Sequence, residues 1–143
     1  MSSRPNHLFT VMADDVRLEA YNKVSLVGVY GPDLIFSELP AALSKICFFV
    51  RLRGGFGVHR FEFQVEGSKG EILGRGSGAL ELPVDNSEAI ASMTVCLGNA
   101  RFVREGPHRF VLTIEGDQEP LVDFVFNVVV NPLAFAASSV SSN

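Results

Sequence analysis

EPLVDFVFNVVV, residues 119–130, places Val122, Phe124, Phe126, Val128 and Val130 at every second position. Successive side chains of an extended strand point to opposite faces, so this period of two specifies a strand with one buried and one wet face. HRFEFQVE, residues 59–66, repeats the pattern with Phe61, Phe63 and Val65, and HRFVLTIE, residues 108–115, repeats it with Phe110, Leu112 and Ile114. VRLEA, VSLVGVY, ICFFVRL and SMTVCLG are short and rich in β-branched or aromatic residues. Between them fall YNK, RGGFG, GSKG, REGP and GDQE, whose Gly, Asn and Asp residues favour turns. No long amphipathic helix is written here; PAALSK, residues 40–45, fits a single helical turn. Many short strands with frequent turns predict an all-β domain, a single antiparallel β-sandwich of seven to nine strands, immunoglobulin-like or related. The sandwich is expected over residues 7–131, between a flexible N-terminus at 1–6 and a flexible Ser/Ala-rich tail at 132–143.

A chain of 143 residues, 47% of them apolar, is long enough to bury a core and too hydrophobic for disorder. The net charge of −4 offers no overall basic field for nucleic acid or acidic membranes. MSSRPNHLFTVMADD lacks the apolar run of a signal peptide, and no stretch reaches the roughly 18 apolar residues of a membrane helix. These features predict a soluble cytoplasmic protein that binds neither nucleic acid nor membrane.

The two HRF segments lie 49 residues apart, as do Cys47 and Cys96 and Gly57 and Gly106. Internal duplication would produce this spacing, yet alternation and turn chemistry impose much of the same likeness on unrelated strands. Shared strand grammar is the preferred reading. In a reducing compartment the two cysteines are expected as buried thiols, in preference to a disulfide or a metal site. Cys47, His59, Cys96 and His108 form a Cys2His2 set on paper, but each Cys–His gap spans a whole strand and turn, unlike local zinc motifs. His59 and His108 are expected half exposed at the rim of a sheet. No metal and no cofactor are predicted.

GRGSG, residues 74–78, has the glycines of a phosphate loop without the following helix, and Arg75 replaces the first Gly of a nucleophile elbow. Gly74, Gly76 and Gly78 share parity with Ile72, Leu80 and Leu82, which predicts a trough filled by Phe side chains from a facing strand. Asp14 and Asp15 are adjacent and would point to opposite faces, while Glu62 and Glu66 fall on the solvated side of their strand. No catalytic constellation emerges. The arginines are the exception to this plainness, with nine Arg against three Lys. Arg51, Arg53 and Arg60 flank one turn and Arg101, Arg104 and Arg109 another. Guanidinium groups so placed suit carboxylate or phosphate recognition, or else cross-strand pairing with neighbouring Glu residues.

FTVMADDVRLEAYNKVSLVGVYG, residues 9–31, and GPHRFVLTIEG, residues 106–116, resemble a family of small bacterial proteins catalogued only as a domain of unknown function. In that family a strand ending near Ala-Asp leads through a Lys-bearing turn to a Ser-Leu-x-Gly-x-Tyr strand, and a later Gly-x-x-x-Phe strand precedes a closing apolar strand. Asp14, Lys23, Gly28 and Gly106 match that pattern, and the likeness spans roughly residues 8–130. It implies a β-sandwich in a bacterial cytoplasm and no activity.

Two classes of function follow. One is a non-catalytic interaction or accessory module, engaging an unidentified protein or a second copy through its sheet edges. The other is a small-anion or small-ligand binding protein, enzymatic or not, built on Arg51, Arg53, Arg60, Arg101, Arg104 and Arg109.

Overall fold

A computed structural model describes residues 2–133. Nine strands follow in chain order: β1 (Asn6–Leu18), β2 (Val24–Val29), β3 (Asp33–Phe36), β4 (Ala41–Arg53), β5 (Gly57–Glu66), β6 (Ile72–Leu82), β7 (Ile90–Phe102), β8 (Gly106–Ile114) and β9 (Val122–Val130). They form a four-stranded sheet, β2-β1-β4-β7, and a five-stranded sheet, β3-β9-β8-β5-β6. All neighbouring strands are antiparallel except β3, which runs parallel to β9. The expected all-β sandwich is therefore the fold, at nine strands. PAALSK differs from expectation: after the Leu39–Pro40 bond the chain enters β4 directly, because Leu43 and Ile46 are needed on the core side of that strand.

The core sits between the sheets and is largely aromatic. Phe48 of β4 stacks on Phe110 of β8 with ring centroids 4.2 Å apart, and Phe126 of β9 lies 6.0 Å from Phe48. Phe48, Phe110 and Phe126 are essentially solvent-free, whereas Phe61, Phe63 and Phe124 are only partly buried at its margin. The parity expected for β5, β8 and β9 holds. Arg60, Glu62, Arg109 and Asp123 occupy the outer face, and Arg109 makes a two-pronged pair with Asp123 at 2.9 and 2.6 Å.

β6 is an edge strand, and its glycines do leave a trough. A Cβ at Gly78 or Gly76 would run into the ring of Phe61 or Phe63 at 2.8 and 2.7 Å, while one at Gly74 would strike Leu97. The two Phe rings come from the adjacent paired strand β5, and the facing sheet supplies Leu97 instead. Cross-strand Phe over Gly compensates the missing side chains of an edge strand. Leu97 in the Gly74 gap brings β7 and β6 together at one corner of the sandwich.

The repeated segments occupy related places. β4 pairs with β7 with Cys47 opposite Cys96, and β5 pairs with β8 with Phe63 opposite Leu112. Both pairs are separated by the same 49 residues, so one approximate two-fold axis through both sheets relates β4–β6 to β7–β9. Residues 49 apart occupy corresponding positions about that axis, which is enough to select the same apolar and turn residues in both. The N-terminal strands break the symmetry: β1 flanks β4 and β3 flanks β9, with no counterparts beside β7 and β6 among the described residues.

β1 starts at Asn6, Ser3 bridges Phe56, and Arg4 pairs with Asp117 at 2.9 Å. At the other end, Pro132 and Leu133 form a turn; the rest of the expected tail, 134–143, lies outside the described residues.

Candidate functional site

The six arginines do not converge. Arg51 and Arg53 lie toward one end of β4, and Arg101 lies near the opposite end of the paired strand β7. Arg51 rests over the Phe49 ring at 5.3 Å, and its Nε is buried with no hydrogen-bond partner among the described residues. Arg104 pairs with Glu71 at 3.3 Å, and Arg109 with Asp123. Among the described residues Arg53, Arg60 and Arg101 form no ion pair. Arg60 lies beside a shallow depression of about 780 Å³ on the outer face of the five-stranded sheet, but Glu62, Glu115 and Asp117 line it too. Its carboxylates outnumber its guanidinium, an unfavourable balance for an anion.

The histidines are not an equivalent pair. β5 and β8 are antiparallel, so His59 and His108 fall toward opposite ends of the pairing, both on the core side. His59 is half buried, with Nε2 3.0 Å from the Phe56 carbonyl oxygen. His108, expected at an exposed rim, is only 1% exposed. Its Nδ1 donates to the Gly106 carbonyl oxygen at 2.9 Å, and its ring lies 5.7 Å from both Phe102 and Phe126. The cysteines lie on the outer face of the other sheet, so the four paper ligands share no site.

The cysteines themselves depart from expectation. The β4–β7 register sets Cys47 directly opposite Cys96, with Cα atoms 4.1 Å apart, and the two form a disulfide. Such close approach matches a non-hydrogen-bonded antiparallel pair, the position where opposed side chains come nearest. The shared spacing of 49 was the only signal in the sequence, and it becomes a contact only once the strands are known to pair.

Three residues of the N-terminal motif interlock. Gly28 adopts φ +67°, and the Asp14 carboxylate occupies the space a Cβ there would need. Asp14 in turn accepts a hydrogen bond from the Tyr30 hydroxyl, and burial with this neighbouring carboxylate pushes the Tyr30 phenol well above its ordinary pKa. Lys23 closes the β1–β2 turn, its carbonyl accepting from Glu19 N at 2.8 Å. Asp15 points the other way, toward Lys45 and Arg17, whose charged hydrogen bonds hold its carboxyl below the usual range. The Ala-Asp and Gly-x-Tyr elements are thus a structural lock between β1 and β2.

Beyond Ala13, among the described residues, β1 pairs with β2 and no longer with β4, so the outer part of the hairpin is held in the sheet by its own two strands. Its turn uses Tyr21 and Asn22 at φ 62° and 58°. Consecutive left-handed residues are what a type I′ hairpin turn needs, and Asn or Gly is the usual occupant. Here a tyrosine takes the first place and is 94% exposed, beside Leu18 at 84%.

A family profile described as a family of unknown function, DUF6941, matches residues 8–128, and the chain belongs to that family. The match covers the sandwich from β1 into β9, including the Asp14–Gly28–Tyr30 lock. No curated protein matches the chain. Among the described residues no helix is long and apolar enough to cross a membrane.

Proposed function

We propose that this chain is a non-catalytic interaction module of the bacterial cytoplasm and that the β1–β2 hairpin is the surface it presents to a protein partner. The observation that carries this reading is the hairpin tip. Tyr21 sits in a backbone region that costs a non-glycine residue roughly 1–2 kcal/mol, and its ring gains little packing in return. Large amphipathic rings of this kind become favourable when a partner's pocket desolvates them. The acidic balance of the chain favours a protein over nucleic acid or an anionic membrane.

The strand order favours an immunoglobulin-like variant of the sandwich. β4 and β7 pair in one sheet, β9-β8-β5 run together in the other, and β3 lies parallel along β9.

The test is affinity purification from the source organism with the native chain and with Leu18→Ser/Tyr21→Asn. Asn is at home in left-handed turns, so the variant is expected to keep its melting temperature within a few degrees. It is expected to lose the partner that the native chain retains, while Val58→Thr on the opposite sheet keeps it. Recovery of the same partners by the hairpin variant would refute the reading.

A further inference from the structure

The disulfide ties together two strands that are already paired from Ala41↔Phe102 to Arg53↔Ile90. It also lies outside the core. Ile46 and Phe48, on either side of Cys47, point between the sheets, so Cys47 and Cys96 point to the outer face. A bond in that position adds no contact between the two layers.

Its two cysteines differ in exposure. Cys47 lies in the middle of the sheet between Ala13 of β1 and Cys96 of β7, and is wholly buried. Its Sγ is 3.9 Å from the Asp14 carbonyl oxygen. Cys96 is exposed on β7, the edge strand, with no described strand beyond it. Thr94 and Gly98, two positions away on the same strand, are also exposed. A Cβ at Gly98 would meet only the Ser44 carbonyl oxygen at 3.8 Å, so the surface beside Cys96 is open.

We propose that Cys47–Cys96 is a thiol–disulfide exchange site whose substrate is a dithiol reductant and whose point of attack is the Cys96 sulfur. A thiolate of the reductant attacks Cys96 Sγ. A bond forms between these two sulfurs, the Cys47–Cys96 bond breaks, and its electron pair leaves on Cys47 Sγ, which takes up a proton. The second thiol of the reductant, as its thiolate, then attacks its own sulfur in the mixed disulfide. Cys96 departs as a thiolate and is protonated. Two electrons and two protons pass from the dithiol to the protein, and the reductant ends as a disulfide. A disulfide of the same class reverses the sequence. The β4–β7 ladder and the core beneath it do not depend on the bond, so the fold survives both states. In a reducing compartment a disulfide is typically one that is formed and broken in use.

The experiment treats the native full chain, purified without reductant, with dithiothreitol in buffer lacking denaturant. Free thiols are counted by alkylation and mass, and fold is followed by circular dichroism. Two thiols are expected to appear with a rate proportional to dithiothreitol concentration while the strand signal persists. Cys47→Ser, which leaves Cys96 alone, is expected to form a mixed disulfide with oxidised glutathione at least about tenfold faster than Cys96→Ser, since access governs exchange. Reduction only in denaturant, or at a rate independent of dithiothreitol and equal to that of unfolding, would overturn the proposal. So would two free thiols in the unreduced chain, or equal reactivity of the two variants. The kinetics of the unsubstituted chain decide the matter even if a variant fails to fold.

Discussion

His59 and His108 open strands of nearly the same sequence, at corresponding positions about one approximate two-fold axis, yet one is half exposed and the other is in the core. The difference lies in what covers each strand. β8 is flanked by β9 and β5, and its beginning is covered by Phe102 at the end of β7. Phe102 faces inward because the core side of β7 changes parity around Asn99, which adopts φ 52°. Phe36 of β3, 5.5 Å from Phe102, closes the cluster. β5 begins where β6 is the edge and, among the described residues, no strand equivalent to β3 lies beside it. Identical local grammar therefore yields different burial when an added strand covers only one copy.

The largest test of this asymmetry uses the phenylalanines that follow the histidines. Phe110→Ala removes a ring with no solvent exposure and is expected to cost about 3–5 kcal/mol. Phe61→Ala, its counterpart over Gly78, should cost roughly half as much, because part of that ring already faces water. Urea denaturation measures both, and equal losses would mean that the two halves are equally covered.

The histidines give the next largest contrast. His108→Ala opens a hole among Phe102 and Phe126 and leaves the Gly106 carbonyl without its donor, for an expected loss of about 2–4 kcal/mol. His59→Ala should stay below about 1 kcal/mol. The two losses should add in the double variant, since the side chains share no partner. Strong non-additivity in thermal melts would point to a coupling that this geometry lacks.

The smallest effect probes where the halves remain alike. Gly57 and Gly106 both begin their strands with positive φ, 94° and 115°. Gly57→Ala and Gly106→Ala should each destabilise by about 1 kcal/mol or somewhat more, and by similar amounts. A loss at one site alone would show that the symmetry does not reach the backbone of the turns.

Much of the architecture was legible from local pattern. The alternation in β5, β8 and β9 specified their faces, and the glycine parity in β6 foretold a trough. The YNK turn was readable, though not the exposure of Tyr21. Several features had no local signature. PAALSK carries residues that suit a helix, and the partner strand β7 draws it into β4. The trough glycines are filled from both the neighbouring and the facing strand, which parity cannot tell apart. The six arginines cluster along the chain and disperse in space because the strands that bear them belong to different sheets.

What the sequence by itself determined is which side of each strand is apolar and where the chain turns, since both depend on residues only two to four positions apart. What only the tertiary structure decided is which strands lie side by side and what roofs them. The Cys47–Cys96 bond and the burial of His108 arise from contacts between residues far apart in sequence. Identical strings carry no information about the neighbours that the rest of the chain will bring to them.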